Sequence, residues 1–237
     1  MTDQVPIVLI PGLLCTSRLY AQQLPSLWQS GPVMVANHQH ADSMAAIAGQ
    51  ILAAAPPRFA LAGLSMGGYL AFEIMRQAPD RVSRLALLDT SARPDVPEKT
   101  RTRHEQVALA RDGRLGEVVD TLYQGWAGPE RRDDSALRQV VRQMAADTGP
   151  EAFARQQAAI MNRPDSRPGL GAIGCPVLVA VGADDQVTTP EHAQEIADGI
   201  RGSRLVVIPG SGHLSTLEQP DAVTKTLTEW RSWQAGA

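Results

Sequence analysis

The pentapeptide Gly63-Leu64-Ser65-Met66-Gly67 constrains the fold of this chain more than any other feature of its sequence. Residues 58–62, just before it, have the apolar character of a short buried strand, and residues 68–78 carry apolar side chains at helical spacing. A serine at such a junction occupies a sharp turn that exposes its hydroxyl, and glycines on both sides avoid collisions with neighbouring backbone. The pattern predicts a reactive serine, or else a glycine-rich turn with an idle one.

Polar residues follow two later apolar runs. The first run, within residues 176–181, leads into a loop with Asp184 and Asp185. The second run, within residues 204–208, leads into a glycine-rich loop with His213. Because the carboxyl ends of parallel strands lie at one edge of a sheet, Ser65, one acid and His213 can converge there. Asp89 follows a further predicted strand and is a third candidate acid, with bonds to loop amides as its alternative role. The order serine, acid, histidine favours catalysis by an activated serine.

The hydrophobic pattern alternates between strand and helix, which predicts an α/β fold with a mostly parallel, doubly wound sheet of about six strands. Strands are predicted at 5–10, 32–36, 58–62, 84–88, 176–181 and 204–208. Helices are predicted at 18–28, 43–54, 66–78, 190–200 and 216–233.

The alternation stops between residues 91 and 174, where helical spacing recurs without a convincing strand. Four helices are predicted there, at 101–111, 115–126, 135–146 and 151–161. We therefore expect a core made of residues 1–92 and 173–237, with residues 93–172 inserted as a helical cap over the strand ends. Residues 93–167 hold 12 of the 20 arginines but also 12 acidic residues, which favours ion-paired helix faces over an anion site.

With these residues in place, the chain resembles the α/β-hydrolase superfamily over nearly its whole length. Residues 7–14, Ile-Val-Leu-Ile-Pro-Gly-Leu-Leu, are similar to that family's first parallel strand and oxyanion loop. The family often has His-Gly where this chain has Pro11-Gly12, which removes a side chain but keeps the backbone donor. Residues 212–220 are similar to the ends of small esterases and enol-lactone hydrolases. The spacing Gly182-x-x-Asp185 before Pro190 matches the family's acid loop and favours Asp185 over Asp184.

The resemblance implies a catalytic triad of Ser65, Asp185 and His213. The backbone N–H groups of Leu13 and Met66 would form the oxyanion hole. The implied activity is hydrolysis of a small carboxylic ester or lactone through an acyl-enzyme on Ser65, without a metal or organic cofactor. Four residues are expected to line the substrate pocket: Leu14, Tyr123, Trp126 and Leu214.

Other functions remain open at this stage. The same triad could serve C–C bond hydrolysis, thioester hydrolysis or perhydrolysis, because fold and triad do not determine the substrate. A second alternative is a hydrolase-like receptor that binds a ligand with little turnover. A purely structural role is disfavoured, because three desolvated polar groups at strand ends cost free energy without a packing benefit.

Composition narrows the partners and the compartment. A net charge of −3 provides no basic surface for nucleic acid or an anionic membrane. Two cysteines far apart in sequence, Cys15 and Cys175, indicate a reducing compartment without a disulfide framework. Residues 1–4 lack the basic character of a secretion signal, and no apolar run has the length of about 20 residues that a membrane span needs. A cytoplasmic protein of undetermined oligomeric state is expected.

The remaining histidines give no metal-site pattern. His38 and His40 are expected to be solvated loop residues before a helix capped by Asp42 or Ser43. Exposed positions on helices are expected for His104 and His192.

Overall fold

The computed structural model describes residues 5–233 and contains one sheet of six strands, all parallel to their neighbours. The strands are β1 (Ile7–Ile10), β2 (Val33–Val35), β3 (Phe59–Leu64), β4 (Val82–Leu88), β5 (Val177–Gly182) and β6 (Arg204–Ile208). Their spatial order is β2-β1-β3-β4-β5-β6, so the predicted doubly wound parallel sheet is confirmed. The side chains of β1, β3 and β5 are buried throughout, as expected for strands covered on both faces.

Helices occupy most connections between the strands. They are α1 (Leu24–Gln29), α2 (Met44–Ala54), α3 (Met66–Gln77), α4 (Pro97–Leu109), α5 (Leu115–Trp126), α6 (Ser135–Met161), α7 (Pro190–Gly199), α8 (Ser215–Glu218) and α9 (Pro220–Arg231). Short 3-10 helices cover Ser17–Tyr20, Pro79–Arg81, Pro129–Arg131 and Arg167–Ala172.

Two predicted helices are each divided in the structure. The predicted helix 18–28 is a 3-10 turn, capped by the Thr16 hydroxyl, followed by α1. The predicted helix 216–233 is divided between α8 and α9. Pro25 lies in the first turn of α1 and Pro220 begins α9. Because proline lacks an N–H and clashes with the preceding turn, a helix starts at such a residue more readily than it continues through it.

The direction of chain progression reverses between β1 and β3. From β1 the chain passes to β2 at one edge, returns to β3 on the other side of β1, and continues outward to β6. Ligands of open α/β sheets bind at the carboxyl ends of the strands where this reversal occurs. The loop after β1 and the turn after β3 meet there, since a Cβ added to Gly12 would lie 3.4 Å from the Cβ of Ser65.

Residues 93–172, called the cap segment below, connect β4 to β5 and consist mainly of α4, α5 and α6. Gly149, with φ of 77°, interrupts α6 ahead of Pro150, which agrees with the break predicted between 146 and 151. Cap arginines pair with carboxylates, including Arg142 with Asp120 at the cap surface and Arg163 with the buried carboxylate of Asp95.

None of the helices within residues 5–233 has the length and apolar character needed to cross a membrane. Residues 1–4, where no secretion signal is expected, lie outside the described residues. Cys15 and Cys175 are both free thiols, and Cys15 is buried as a small apolar side chain would be.

Candidate active site

Ser65 occupies the turn between β3 and α3 in a backbone conformation that few L-residues adopt. Its φ is 56° and its ψ is −113°, a combination that costs on the order of 1–3 kcal/mol and persists only where surrounding structure enforces it. Both glycines of the pentapeptide are required by close backbone contacts. A Cβ on Gly63 would lie 2.2 Å from the Gly67 carbonyl oxygen, and a Cβ on Gly67 would lie 2.0 Å from that of Ile10.

The structure brings Ser65, His213 and Asp185 into one hydrogen-bonded chain. The Nε2 atom of His213 lies 2.8 Å from the Ser65 Oγ, and its Nδ1 atom lies 2.8 Å from the Asp185 Oδ2. Asp185 ends the tight turn after β5, and His213 lies in the loop between β6 and α8. The three side chains are contributed by three strand ends that the parallel sheet aligns at one edge.

Hydrogen bonds to the carboxylate determine the tautomer of the histidine. The Asp185 Oδ1 accepts the N–H groups of Val187 and Thr188, and its Oδ2 accepts the Thr188 hydroxyl at 2.9 Å. An ionised carboxylate only accepts, so the imidazole proton is on Nδ1 and Nε2 is free to accept the Ser65 proton. Thr188, whose hydroxyl is also 3.2 Å from Nδ1, was not identified from the sequence.

Burial and charge act in opposite directions on the pKa values of this pair. Burial raises the pKa of Asp185, but the neighbouring His213 and the hydrogen bonds to its carboxylate outweigh that effect and leave the pKa lowered. Burial lowers the pKa of His213, but the attraction of Asp185 and their hydrogen bond leave it raised. The site therefore favours an ionised acid beside a histidine that gains a proton readily.

Two backbone N–H groups belong to the segments that meet at Ser65, which are the loop after β1 and the start of α3. Within the described residues, the N–H groups of Leu13 and Met66 donate to no protein acceptor. Met66 is the first residue of α3, so its N–H has no intrahelical partner and lies at the positive end of the helix dipole. These are the two donors expected from the sequence for an oxyanion hole.

A cavity of about 390 Å³ opens onto Ser65 and His213. Leu13, Tyr69 and Trp126 contribute to its wall. The cap segment contributes most of the remaining lining: Glu98, Lys99, Thr102, Arg103, Gln106, Thr121, Leu122, Gly125 and Ile160. Val187, from the loop after β5, lines the cavity as well. Leu214 lines a smaller adjoining recess next to Ser65, so two of the four expected pocket residues, Trp126 and Leu214, border the cavities.

The other two expected pocket residues have different positions. Tyr123 is fully buried, and its hydroxyl donates to the carbonyl oxygens of Arg131 and Asp134, which holds α5 against the start of α6. Leu14 is also buried and contributes to neither the main cavity nor the recess formed by the described residues. Helical and loop patterns identify buried side chains but not which of them face a cavity, so assigning these two residues to the pocket was wrong.

Glu218 connects the histidine loop to the cap segment. Its buried carboxylate accepts the N–H of Gly128 at 2.8 Å, of Gly212 at 3.1 Å and of Leu214 at 3.1 Å. The His213 N–H donates to the carbonyl oxygen of Trp126 at 2.7 Å. The loop that carries the histidine is therefore fixed directly to the end of α5, a relationship that sequence reasoning did not detect.

Asp89 is a second buried carboxyl group behind the site, but it does not hydrogen-bond to the histidine. Its Oδ1 accepts the Gly182 N–H at 2.8 Å, and its Oδ2 contacts the Ser215 hydroxyl. Burial and the neighbouring Asp185 raise its pKa well above the usual range of a carboxyl group. Asp89 therefore ties the end of β5 to the start of α8 and does not bond to loop amides as its alternative role predicts. Asp184 is partly exposed.

His38 is not the solvated loop residue that the sequence predicts. It is 2% exposed, with its Nε2 atom 3.0 Å from the Gly12 carbonyl oxygen and 3.2 Å from the Gln156 Nε2. The local sequence does not reveal this burial, because the covering residues come from the loop after β1 and from α6 in the cap segment. Ser43 caps α2 as expected, while His40 and His104 are exposed and His192 is half-buried.

Comparison with known proteins places these features in a family context. The chain matches the model of the alpha/beta hydrolase family over residues 7–226. A thermophilic esterase from Thermogutta terrifontis is 31% identical and superposes with a TM-score of 0.87, covering 95% of this chain and 89% of that one. The enol-lactonase from Burkholderia xenovorans LB400 is 27% identical with a TM-score of 0.88, covering 97% and 92%. A Mycobacterium tuberculosis protein named as a non-heme bromoperoxidase is 29% identical over 194 residues, which are 80% of this chain and 72% of that protein.

Proposed function

The chain belongs to the alpha/beta hydrolase family and is a hydrolytic enzyme, and we propose that it cleaves a small carboxylic ester or lactone through an acyl-enzyme on Ser65. The observation that carries this proposal is the hydrogen-bonded chain from Ser65 through His213 to Asp185, with both links at 2.8 Å. Ser65 and His213 border a cavity of about 390 Å³. This volume is near the lower end of the roughly 300–1,000 Å³ typical of ligand pockets, which suits a small substrate.

Acylation begins when His213 Nε2 takes the hydroxyl proton of Ser65 and the Oγ attacks the substrate carbonyl carbon. The charge that develops on the carbonyl oxygen is stabilised by the N–H groups of Leu13 and Met66. Asp185 stabilises the imidazolium that forms and keeps the ring oriented. His213 then returns the proton to the leaving alkoxide, which departs as an alcohol, or remains attached if the substrate is a lactone.

Deacylation repeats the same steps with water as the nucleophile. His213 takes a proton from water, the hydroxide attacks the acyl carbon, and the tetrahedral oxyanion again accepts from Leu13 and Met66. Collapse of this intermediate releases the carboxylic acid and returns the proton to Ser65.

The relatives support this chemistry and point to one variation. An esterase and an enol-lactonase, at 31% and 27% identity, are named for the two substrate classes proposed here, esters and lactones. The relative named as a bromoperoxidase, at 29% identity, favours a second activity in which hydrogen peroxide replaces water as the acyl acceptor. That reaction would yield a peracid from the same acyl-enzyme, without a change in the triad.

Kinetics over a panel of substrates test the proposal. The panel contains short p-nitrophenyl esters, small lactones, thioesters and a vinylogous diketone, each assayed with water alone and with hydrogen peroxide. We expect the highest kcat/KM on an ester or a lactone. Faster turnover of the diketone or a thioester would contradict the proposed bond preference. A peracid product in the peroxide series would support the second activity.

Substitution of the nucleophile provides the control. Ser65→Ala should fold normally and lose kcat by several orders of magnitude, since removal of a triad serine costs on the order of 10⁶ in a serine protease. Ser232→Ala, an exposed serine near the end of α9, should match the unmodified enzyme.

A fluorophosphonate should label Ser65 covalently. Labelling without turnover of any substrate would favour the ligand-binding alternative, and more than about a tenth of activity in Ser65→Ala would exclude the acyl-enzyme.

A further inference from the structure

Two buried polar side chains lie beside the loop after β1 and take no direct part in the chemistry described above. His38 is 2% exposed and follows β2, whereas Gln156 is fully buried and belongs to α6 of the cap segment. Burial of a polar group costs free energy unless hydrogen bonds replace its water. Both side chains direct those bonds to the turn that contains Leu13.

This turn has a strained residue that Gln156 stabilises. The Cys15 N–H donates to the Gly12 carbonyl oxygen at 3.1 Å, and Leu14 at the third position has φ of 59°. A positive φ at this position is typical of a type II turn, where glycine is usual and leucine is strained. Gln156 Oε1 accepts the Leu14 N–H at 3.1 Å, which fixes the orientation of the peptide between Leu13 and Leu14.

His38 holds the preceding peptide of the same turn. Its Nε2 lies 3.0 Å from the Gly12 carbonyl oxygen, which can only accept, so the neutral ring carries its proton on Nε2 and donates it there. The opposite tautomer would set a ring lone pair against a carbonyl lone pair. The Gln156 amide nitrogen, 3.2 Å away, is then a neighbour of the ring rather than its donor.

The Gly12 carbonyl and the Leu13 N–H belong to one planar trans peptide and point in opposite directions. A donor that holds the carbonyl on one side therefore directs the N–H to the other side, where Leu13 lines the cavity with Ser65 and His213. The bond also polarises the peptide, which strengthens its N–H as a donor. The side chain of His38 thus acts on the oxyanion site through the backbone.

The cap segment reinforces this arrangement from α6. The Arg155 Nε donates to the Gln39 carbonyl oxygen at 2.8 Å, and the Gln39 amide reaches the Thr148 hydroxyl at 3.4 Å. The loop with His38 and the turn with Leu13 are therefore both attached to one cap helix.

We propose that His38 and Gln156 are positioning residues of the oxyanion hole, which hold the Leu13 N–H in its productive direction. This inference rests on the proposed function, in which that N–H stabilises the oxyanion. It assigns to the cap segment a part in catalysis beyond lining the cavity.

The test compares two substitutions of His38 with a matched control. His38→Leu fills the site without a donor, His38→Gln places an amide N–H near the position of Nε2, and His40→Leu changes an exposed histidine in the same loop. Loss of a whole oxyanion donor costs about 10²–10³ in kcat, so we expect a fall of roughly 10- to 100-fold in His38→Leu with little change in KM. His38→Gln should recover most of the loss, and His40→Leu should show none.

A transition-state analogue separates this role from simple packing. A trifluoromethyl ketone adds to Ser65 and forms an oxyanion, so its inhibition constant should rise in His38→Leu by about the same factor as kcat/KM falls. The pH midpoint of kcat/KM should stay unchanged, since His213 keeps its partners. Equal losses in the Leu and Gln variants, or an inhibition constant that does not follow kcat/KM, would overturn the inference.

A second pair of variants covers a failure of His38→Leu to fold. Gln156→Met removes the acceptor of the Leu14 N–H, whereas Gln156→Glu retains one, so the Met variant should show the larger loss of kcat and of analogue binding. Equal losses in the pair would count against the inference. If the unmodified protein is active and depends on Ser65, but these substitutions change neither kcat nor analogue binding, only this inference is refuted. If the unmodified protein has no activity, the proposed function is refuted.

Discussion

Asp185 holds Nδ1 of His213 at 2.8 Å with a carboxylate whose two oxygens are already fixed by other donors. Three further hydrogen bonds reach it from Val187 and Thr188, so the carboxylate has no freedom to rotate away from the ring. The histidine consequently has one tautomer and one orientation. The charge state of His213 and the identity of its acid partner each lead to a measurable consequence.

The pH dependence of the reaction follows from the environment of His213. Burial lowers the pKa of this histidine and Asp185 raises it by more, so the pKa lies above its usual value of about 6.5. A general base must be neutral, and the fraction of neutral His213 falls as the pH falls through that pKa. We expect kcat/KM to drop tenfold per pH unit on the acid side, with a midpoint above about 6.5. A profile measured with a p-nitrophenyl ester that is flat between acid and neutral pH would exclude His213 as the base.

The identity of the acid is tested by replacing each of three carboxylates with its amide. Asp185→Asn should stabilise the wrong tautomer of His213 and lower kcat by about 10⁴, the cost of that change in a serine protease. Asp89→Asn should cost much less, because Asn still accepts the Gly182 N–H and the raised pKa of Asp89 already favours its neutral form. Asp184→Asn, at a partly exposed position, is the control. Kinetics of the purified variants would contradict the assignment if Asp185→Asn were the mildest.

The sequence reveals the parts of this molecule that local patterns encode. Each predicted apolar run overlaps a strand of the sheet, and the rule that parallel strands end at one edge was enough to bring Ser65, Asp185 and His213 to the same place. It is harder to predict which side chains line the cavity. Helical periodicity shows that Tyr123 is buried, but not that its hydroxyl bonds to the carbonyl oxygen of Arg131.

The supporting residues could not be predicted because they act across long stretches of chain. Gln156 bonds to Leu14 at a separation of 142 residues, and Glu218 bonds to Gly128 at a separation of 90. No periodicity or spacing in a single sequence records such pairs. Their positions depend on how the cap segment packs on the core, which is a property of tertiary structure alone.

The backbone contacts of the pentapeptide predict a sharp difference between two glycine substitutions. In Gly67→Ala the new Cβ would lie 2.0 Å from the Ile10 carbonyl oxygen, so β1 or α3 must shift. We expect loss of soluble folded protein or a large fall in melting temperature. In Gly116→Ala the Cβ enters open space within α5, and the better helix propensity of alanine should add about 0.5–1 kcal/mol. Thermal unfolding of both variants measures this, and equal melting temperatures would contradict the contact.

The buried His38 predicts that acid destabilises the fold. Burial lowers the pKa of His38 from 6.5 to about 4, so between these values the unfolded chain binds a proton there that the folded chain excludes. The free energy of unfolding must therefore fall as the pH falls from about 6.5 to about 4, by roughly 3 kcal/mol from this residue. Glutamine does not titrate, so His38→Gln should lose less stability than the unmodified protein between pH 7 and pH 4.5. A difference of roughly 5–10 °C in the drop of melting temperature is expected for a chain of this size. His40→Gln, at an exposed position, should behave like the unmodified protein, and identical acid sensitivity in all three would mean that His38 is protonated in the folded state.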